Sequence, residues 1–259
     1  MNVIKCMHTQ NDCYKKGTVV TPVGIVVHST GVNNANIKRY SQPSSNDANR
    51  AELLNVIGTN PYSNSWNRSG VEKAVHYMIG KLADGSVGTV HNLPENYACW
   101  GCGKGKNGSY NYAPTAHIQF EVCEDNLTSE SYFKAVYKEA TELCADICHR
   151  YGWSSSVIVS HKEAHAKGYA SNHADIDHWL KKFGLTMNDF RGEVQRLLDE
   201  MKAVPAEPSF EPYKLTMGED TFRLYDGEGK PIGRADGLSE LTVLEERDGM
   251  ARVEAWVKI

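Results

Sequence analysis

What this chain of 259 residues lacks narrows its function before any motif is read. It has no run approaching the roughly 20 apolar residues that a membrane-spanning helix needs, so no membrane partner is expected. Its first residues, MNVIKCMHTQNDCYKKG, carry an early lysine but no apolar stretch of secretory-signal length, and the protein is expected to be made and kept in the cytosol. It has no basic excess: 28 Lys+Arg against 32 Asp+Glu leave a formal net charge of −4, which argues against a nucleic-acid-binding face. There is no internal repeat and no low-complexity segment. Cys99 and Cys102 form a single C-x-x-C with no second pair at zinc-finger spacing, so a structural metal there has little support. The seven cysteines are an odd number for a disulfide framework, and a cytosolic chain of this size does not need one. Cys144 and Cys148, four apart in ELCADICHRYG, read as two small buried hydrophobes on one helix face.

What is present organises into two parts. In AVPAEPSFEPY (203–213), three prolines within eight residues cannot continue the helix before them and read as a stiff, extended spacer. The expected division is therefore a domain over 1–203, a Pro-rich linker over 204–213 and a small β domain over 214–259. Within the first part, VGIVVHST (23–30) is an apolar, β-branched run that reads as a buried strand with His28 near its end. NDANRAELLNVIG (46–58) has helical spacing. AVHYMIGKLADGSVGTVHNL (74–93) reads as strand, turn at Asp84-Gly85, strand. HIQFEVCED (117–125) is strand-like, and SESYFKAVYKEATELCADICHRYGW (129–153) opens on a Ser/Glu cap and repeats its apolar positions at three and four, which marks a long amphipathic helix. SVIVSH (156–161) is a short strand that delivers His161, and DFRGEVQRLLDEMKAV (189–204) is a helix. The fold class expected is α/β, a mixed central sheet flanked by helices. The tail alternates short apolar stretches with Gly/Asp turns, the pattern of a small all-β barrel-like domain.

Histidine is where the sequence is dense. SHKEAHAKGYASNHADIDHW (160–179) holds four of them, more imidazole than a loop needs for packing. A hydrolytic zinc site takes three protein ligands and keeps a fourth position for water. His28 and His161 each follow an apolar strand, and the third ligand should come from the loop after His161, where His173 and Asp175 are the candidates. HKEAH (161–165) differs from the H-E-x-x-H metalloprotease motif because Lys162 stands where that motif needs glutamate. Amide hydrolysis also needs a group to move a proton from water to the departing nitrogen. Glu121, amid Ile118, Phe120 and Val122, would be desolvated and its pKa raised toward that task. A glutamate on the solvated face of an alternating strand fits the pattern equally well.

The motifs GIVVHST, AVHYMIG…DGSV, ACWGCG…NGSYN, HIQFEVCED and SHKEAHAKGYASNHAD, in that order, resemble the zinc-dependent N-acetylmuramoyl-L-alanine amidases of phage endolysins and bacterial autolysins. Those enzymes share their fold with peptidoglycan recognition proteins, and the resemblance runs over roughly residues 20–200. It implies that Zn2+ is held by His28, His161 and His173, with Asp175 as the alternative third ligand, and that Glu121 is the general acid/base. The bond cut would join N-acetylmuramic acid to the L-alanine of the peptidoglycan stem peptide. Related amidases often carry a lysine two positions before the third ligand to stabilise the oxyanion. That position is Ser171 here, and Lys167 is the nearest lysine. Trp100 is expected to line the substrate groove. His76 matches a recurrent family histidine with a structural or substrate-lining role, and Trp179 is expected to pack under the metal loop.

The tail, most visibly GMARVEAWVKI, resembles a bacterial Src-homology-3-like domain of the wall-binding sort. A phage or prophage endolysin, released to the wall after a holin opens the membrane, is the setting these features imply. Two other readings compete: a non-catalytic muropeptide-binding module of the recognition-protein type, and a thiol hydrolase using Cys123.

Overall fold

A computed structural model describes residues 3–203, 213–216, 222–225, 230–235, 240–247 and 250–254. The chain divides into two compact units, Met1–Ala203 and Val204–Ile259. The first is built on six strands: β1 (Val3–Lys5), β2 (Ile25–Ser29), β3 (Tyr77–Lys81), β4 (Val87–His91), β5 (Ile118–Val122) and β6 (Ile158–Ser160). They form one mixed sheet in the order β1-β4-β3-β5-β2-β6. Only the β3/β4 hairpin is antiparallel; the other pairings are parallel. That is why β2 reads as a continuous β-branched run, since an interior parallel strand is covered on both faces, and all five of its residues are buried.

Six helices accompany the sheet: α1 (Asp12–Lys16), α2 (Arg50–Ile57), α3 (Glu130–Tyr151), α4 (His161–Ala166), α5 (Asp175–Lys182) and α6 (Met187–Ala203). The ends of α3 follow from its sequence. The Ser129 hydroxyl accepts from the Tyr132 amide at the start, and Gly152 takes the left-handed conformation (φ 68°) that closes the helix. Its apolar stripe, with Cys144 and Cys148 buried in it, lies with α6 against one face of the sheet. Ile25, Val27, Ile118, Phe120, Val122, Tyr77 and Ile79 point into that layer. Trp179 of α5 is fully buried in the same layer, and burying a side chain of this kind stabilises by roughly 1.5–3 kcal/mol.

The opposite face has no long helix on it. Loops and the short α2 and α4 cover it instead, in two smaller apolar clusters, one around Ile37, Tyr40, Ile57 and Met78, the other around Val26, Cys102, Tyr110 and Val159. Because strand side chains alternate, His28, Gln119 and Glu121 all point to this face. The β2–β5 register sets His28 directly beside Glu121.

The elements read from the sequence are present with shifted ends. The strand expected over 156–161 is shortened to three residues, preceded by a 3-10 turn at Ser155–Val157. The stretch after it, expected as a loop, starts a helix: Ser160 and Glu163 form a reciprocal capping box, so His161 opens α4.

In the second unit every regular element among the described residues is a strand. A three-stranded antiparallel sheet joins Met250–Glu254, Glu240–Arg247 and Tyr213–Thr216, and Phe222–Tyr225 pairs with Pro231–Ala235. The spacer expected at 204–213 lies outside the described residues except for Tyr213, and so do the segments that would decide barrel closure. No helix among the described residues is long and apolar enough to cross a membrane.

Candidate metal centre

Three elements deliver one cluster. His28 sits near the end of β2, His161 at the junction of β6 and α4, and Asp175 at the start of α5. His28 and His161 are 1% and 3% exposed. The Nδ1 atoms of the two imidazoles lie 3.0 Å apart, and Asp175 Oδ2 is 2.9 Å from His28 Nδ1 and 2.8 Å from His161 Nδ1.

The second nitrogen of each ring determines what this triangle is. His28 Nε2 is 3.1 Å from Gln119 Oε1, and His161 Nε2 is 3.0 Å from the Ser171 carbonyl. Both partners are acceptors, so both protons reside on Nε2 and both Nδ1 atoms present lone pairs. Two lone pairs and a carboxylate oxygen therefore converge on one point with no donor among them. Such an arrangement is repulsive unless a cation sits within it, and the donor set, two imidazoles and a carboxylate, is that of a catalytic zinc site. Zinc ligation at about 2.0–2.1 Å spaces tetrahedral donors by roughly 3.3 Å, so the triangle would open by a few tenths of an ångström to receive the ion. The residues fit the metal.

The electrostatics agree. Burial disfavours ionisation of Asp175, yet the adjoining imidazoles of His161 and then His28 outweigh it and hold the carboxyl below its ordinary range. Burial lowers the pKa of His28, against the opposing pull of Asp175, and so favours the neutral ring that ligation needs. Asp175 has φ 34°, in the left-handed region that a non-glycine residue adopts at a cost, and residues held this way concentrate at functional sites. Helix α5 is held in place by Glu124, whose Oε1 accepts from Ser29 Oγ at 2.6 Å and lies 3.1 Å from His178 Nε2.

The third position of the cluster is thus Asp175 and not His173. The His173 side chain is 61% exposed, with Nδ1 3.7 Å from Asp175 Oδ1 and its ring centroid 4.9 Å from that of His161. It stands at the rim, with one residue, Ala174, between it and the start of α5.

Glu121 neighbours His28 across the sheet, and its Oε2 is buried without a hydrogen-bond partner. Burial raises its pKa well above the ordinary value, with Asp175 and Glu124 adding to the rise and Lys73 opposing it. Of the two readings left open for this residue, the structure gives the desolvated one.

Other expected site residues fall elsewhere. Lys167 caps the C-terminal end of α4, is exposed, and bears on Glu163 and His117 rather than on the cluster. His76 is not substrate-lining: it is buried, its Nε2 donates to the Tyr97 carbonyl at 2.9 Å and its Nδ1 accepts from the Gln119 amide at 2.9 Å. His165 is exposed and donates to the Ala170 carbonyl, outside the cluster. Cys123 is buried, and burial first, then Glu121 and Glu124, keep its thiol protonated, the wrong state for a nucleophile.

Trp100 is partly exposed and, with Tyr112, Tyr169 and Lys104, lines an open cleft of about 450 Å³. None of His28, His161 and Asp175 lines that cleft. A second hollow, lined by Lys104, Lys106, His165 and Ser171, shares Lys104 with that cleft and takes in Ser171, the partner of His161.

Sequence reasoning missed Gln119 and Ser171, which face the second nitrogens of the two imidazoles, and the capping box that starts α4. Two signals were available: Gln119 stands two residues before Glu121 and so shares its face, and S-x-x-E at 160–163 is a helix-start pattern.

Comparison with known proteins bears on the same region. The sequence model of the N-acetylmuramoyl-L-alanine amidase family matches residues 19–177, a span that includes every member of the cluster. Among solved structures, the Staphylococcus aureus hydrolase AmiA superposes with a TM-score of 0.50 at 16% identity, over 80% of this chain and 88% of that one. The structure of PlyL aligns at 18% identity and TM-score 0.47, over 75% of this chain and 98% of that one. The catalytic domain of XlyA aligns at 20% identity and TM-score 0.46, over 75% and 99%. At these identities the likeness to AmiA speaks for the fold alone. A search of curated protein sequences finds no match. With well over half of its length matched, the chain belongs to the N-acetylmuramoyl-L-alanine amidase family.

Proposed function

We propose that the protein is a zinc-dependent peptidoglycan hydrolase that cleaves the amide between N-acetylmuramic acid and the L-alanine of the stem peptide. His28, His161 and Asp175 are its metal ligands. The observation that carries this reading is the convergence of three acceptor atoms, each within 3.0 Å of the other two, with no donor among them. Zinc bound there supplies Lewis acidity, polarising the scissile carbonyl and making water a nucleophile near neutral pH. Glu121 receives the proton that the water gives up and passes it to the amide nitrogen as the bond breaks. Its raised pKa suits both halves of that transfer. His173 stands two positions before Asp175, where related amidases often have a lysine, and its exposed imidazole at the rim is the group that hydrogen-bonds the developing oxyanion. This replaces Lys167 in that role.

Trp100 and the cleft beside it are assigned to the substrate. The second unit is assigned to attachment at the cell wall, where a tethered second contact raises effective concentration at an insoluble substrate. A phage or prophage lysin whose access to the wall depends on a holin is the biological setting this reading carries.

The test is metal content together with product analysis. Purified protein should contain about one zinc per chain, and a chelator should stop turbidity loss of cell walls. New L-alanine amino termini should appear without new reducing sugar ends. Glu121→Gln should keep the metal and lose about 10²–10⁴ in rate. Zinc and wall binding with no bond cleavage in the unmutated protein would favour the muropeptide-binding module instead. Cleavage that survives metal removal but stops on thiol alkylation would favour the cysteine hydrolase.

A further inference from the structure

Gln119 is 0% exposed, in a strand that is apolar apart from it and Glu121. A glutamine there must satisfy two donors and an acceptor oxygen or carry a desolvation cost. It satisfies them in one orientation. Its Oε1 faces His28 Nε2 at 3.1 Å and the Cys102 thiol at 3.2 Å. Its Nε2 donates to the Tyr110 carbonyl at 3.3 Å and to Asn111 Oδ1 at 3.1 Å. Asn111 cannot turn in response, because its Oδ1 also accepts from the amides of Gly101 and Cys102 while its Nδ2 donates to the Gly103 carbonyl. Rotating the Gln119 amide by half a turn would set its oxygen against two acceptors. Space has been kept for that oxygen as well: a Cβ on Gly101 would lie 2.3 Å from it.

We propose that Gln119, braced by Asn111 and Gly101, is a positioning residue that fixes the tautomer and aim of His28 for a divalent metal ion. The proposal rests on the metal reading above. Metal-ligating histidines commonly give their second N–H to a carboxylate or a carbonyl. The acceptor here is a neutral amide, for which the surroundings supply a reason. Asp175 and Glu121 already occupy this desolvated pocket, and a third carboxylate would raise the pKa values of all of them. An amide directs the imidazole without adding charge. It also leaves the Cys102 thiol as a donor to Gln119, 3.8 Å from His28 Nε2 and on the side of the ring away from the cluster, which assigns the sulfur no ligand role.

The experiment uses the full chain. Ring-nitrogen NMR of the metal-free protein reads the His28 tautomer, and competition with a chelator reads zinc affinity. The unmutated protein should hold His28 as the Nε2–H tautomer alone. Gln119→Leu should give a mixture of tautomers and weaken zinc binding by about 10–100-fold, with a changed visible spectrum of the cobalt(II)-loaded protein. Should that variant fail to fold by circular dichroism, Asn111→Ala, one step further from the ring, should show the same changes more weakly. Cys102→Ser, which keeps a donor to the amide oxygen, should leave the zinc affinity close to that of the unmutated protein.

An unaltered tautomer and affinity in folded Gln119→Leu, or in Asn111→Ala if the former does not fold, would overturn the proposal. So would a loss of zinc in Cys102→Ser as large as that in Gln119→Leu, since the sulfur would then be a ligand. If the unmutated protein bound no zinc, the metal reading itself would fail, while the tautomer measurement, made without metal, would still judge Gln119.

Discussion

The two faces of the central sheet are made by the same strands and differ in almost everything else. On one face Ile25, Val27, Ile118 and Phe120 meet the long helices α3 and α6. On the other, from the residues between them, His28, Gln119 and Glu121 meet loops and short helices. The alternation of a strand thus places each polar site residue one position from a fully packed anchor. Packing at interior density on the covered face holds the backbone of β2 and β5 rigid, and that rigidity lets the open face keep three acceptor atoms in mutual contact. The covered face stabilises; the open face spends some of that stability on buried, mutually repelling polar groups.

Five variants would break or sharpen this contrast. Asp175→Ala should have the largest effect on the open face, with zinc affinity falling further than the roughly 10–100-fold cost of losing a supporting partner. His173→Ala should retain zinc and lose turnover. Metal analysis of the two purified proteins decides the order, and the opposite ranking would return the third ligand to His173. On the covered face Phe120→Ala should cost about 3–5 kcal/mol in denaturant unfolding, while the molecules that remain folded still bind zinc.

A smaller effect belongs to the polar clasp at the edge of the covered face. There Glu95 accepts from Tyr77, Tyr151 and, through both of its oxygens, Arg150. Burial works against its ionisation, but Arg150 first and Tyr77 next outweigh it and bring the pKa down from 4.5 to about 2. A depressed carboxyl pKa contributes stability that is fully present above the unfolded value and is lost as pH falls through the folded one. Acid titration of stability between about 4.5 and about 2 should therefore be shallower in Glu95→Gln than in the unmutated protein. The difference at neutral pH should be on the order of 1–2 kcal/mol, allowing for the solvent exposure of Arg150. The smallest effect is expected for Lys167→Ala, within about 0.5 kcal/mol in stability and with wall hydrolysis retained. A large loss of rate there would mean that the lysine reaches the open face after all.

The covered face was the easier to read from sequence. The β-branched runs of β2 and β6, the Ser129 cap of α3 and its apolar stripe are local signals, and each was visible within a few residues of itself. His28 and His161 were legible as histidines at strand ends for the same reason. The choice of Asp175 over His173 was not, because two residues of register depend on how the chain enters α5 and on the left-handed backbone at Asp175. Helix α5 itself was passed over among the polar residues around it, although Trp179 and Leu180 mark its buried face. The opening of α4 at His161 was obscured because SHKEAH reads as a metal loop while Ser160 and Glu163 were already forming a cap.

By itself the sequence determined the strands, the long helices and which residues alternate toward which face, since these follow from periodicities of two and 3.6 residues along a local stretch of chain. Only the tertiary structure decided which side chains share a point in space. The His28–His161–Asp175 triangle joins residues up to 147 positions apart, and the amide that aims His28 lies 91 positions from it along the chain. No local pattern encodes such a meeting, because it depends on the order and register of strands that pair only once the chain has folded.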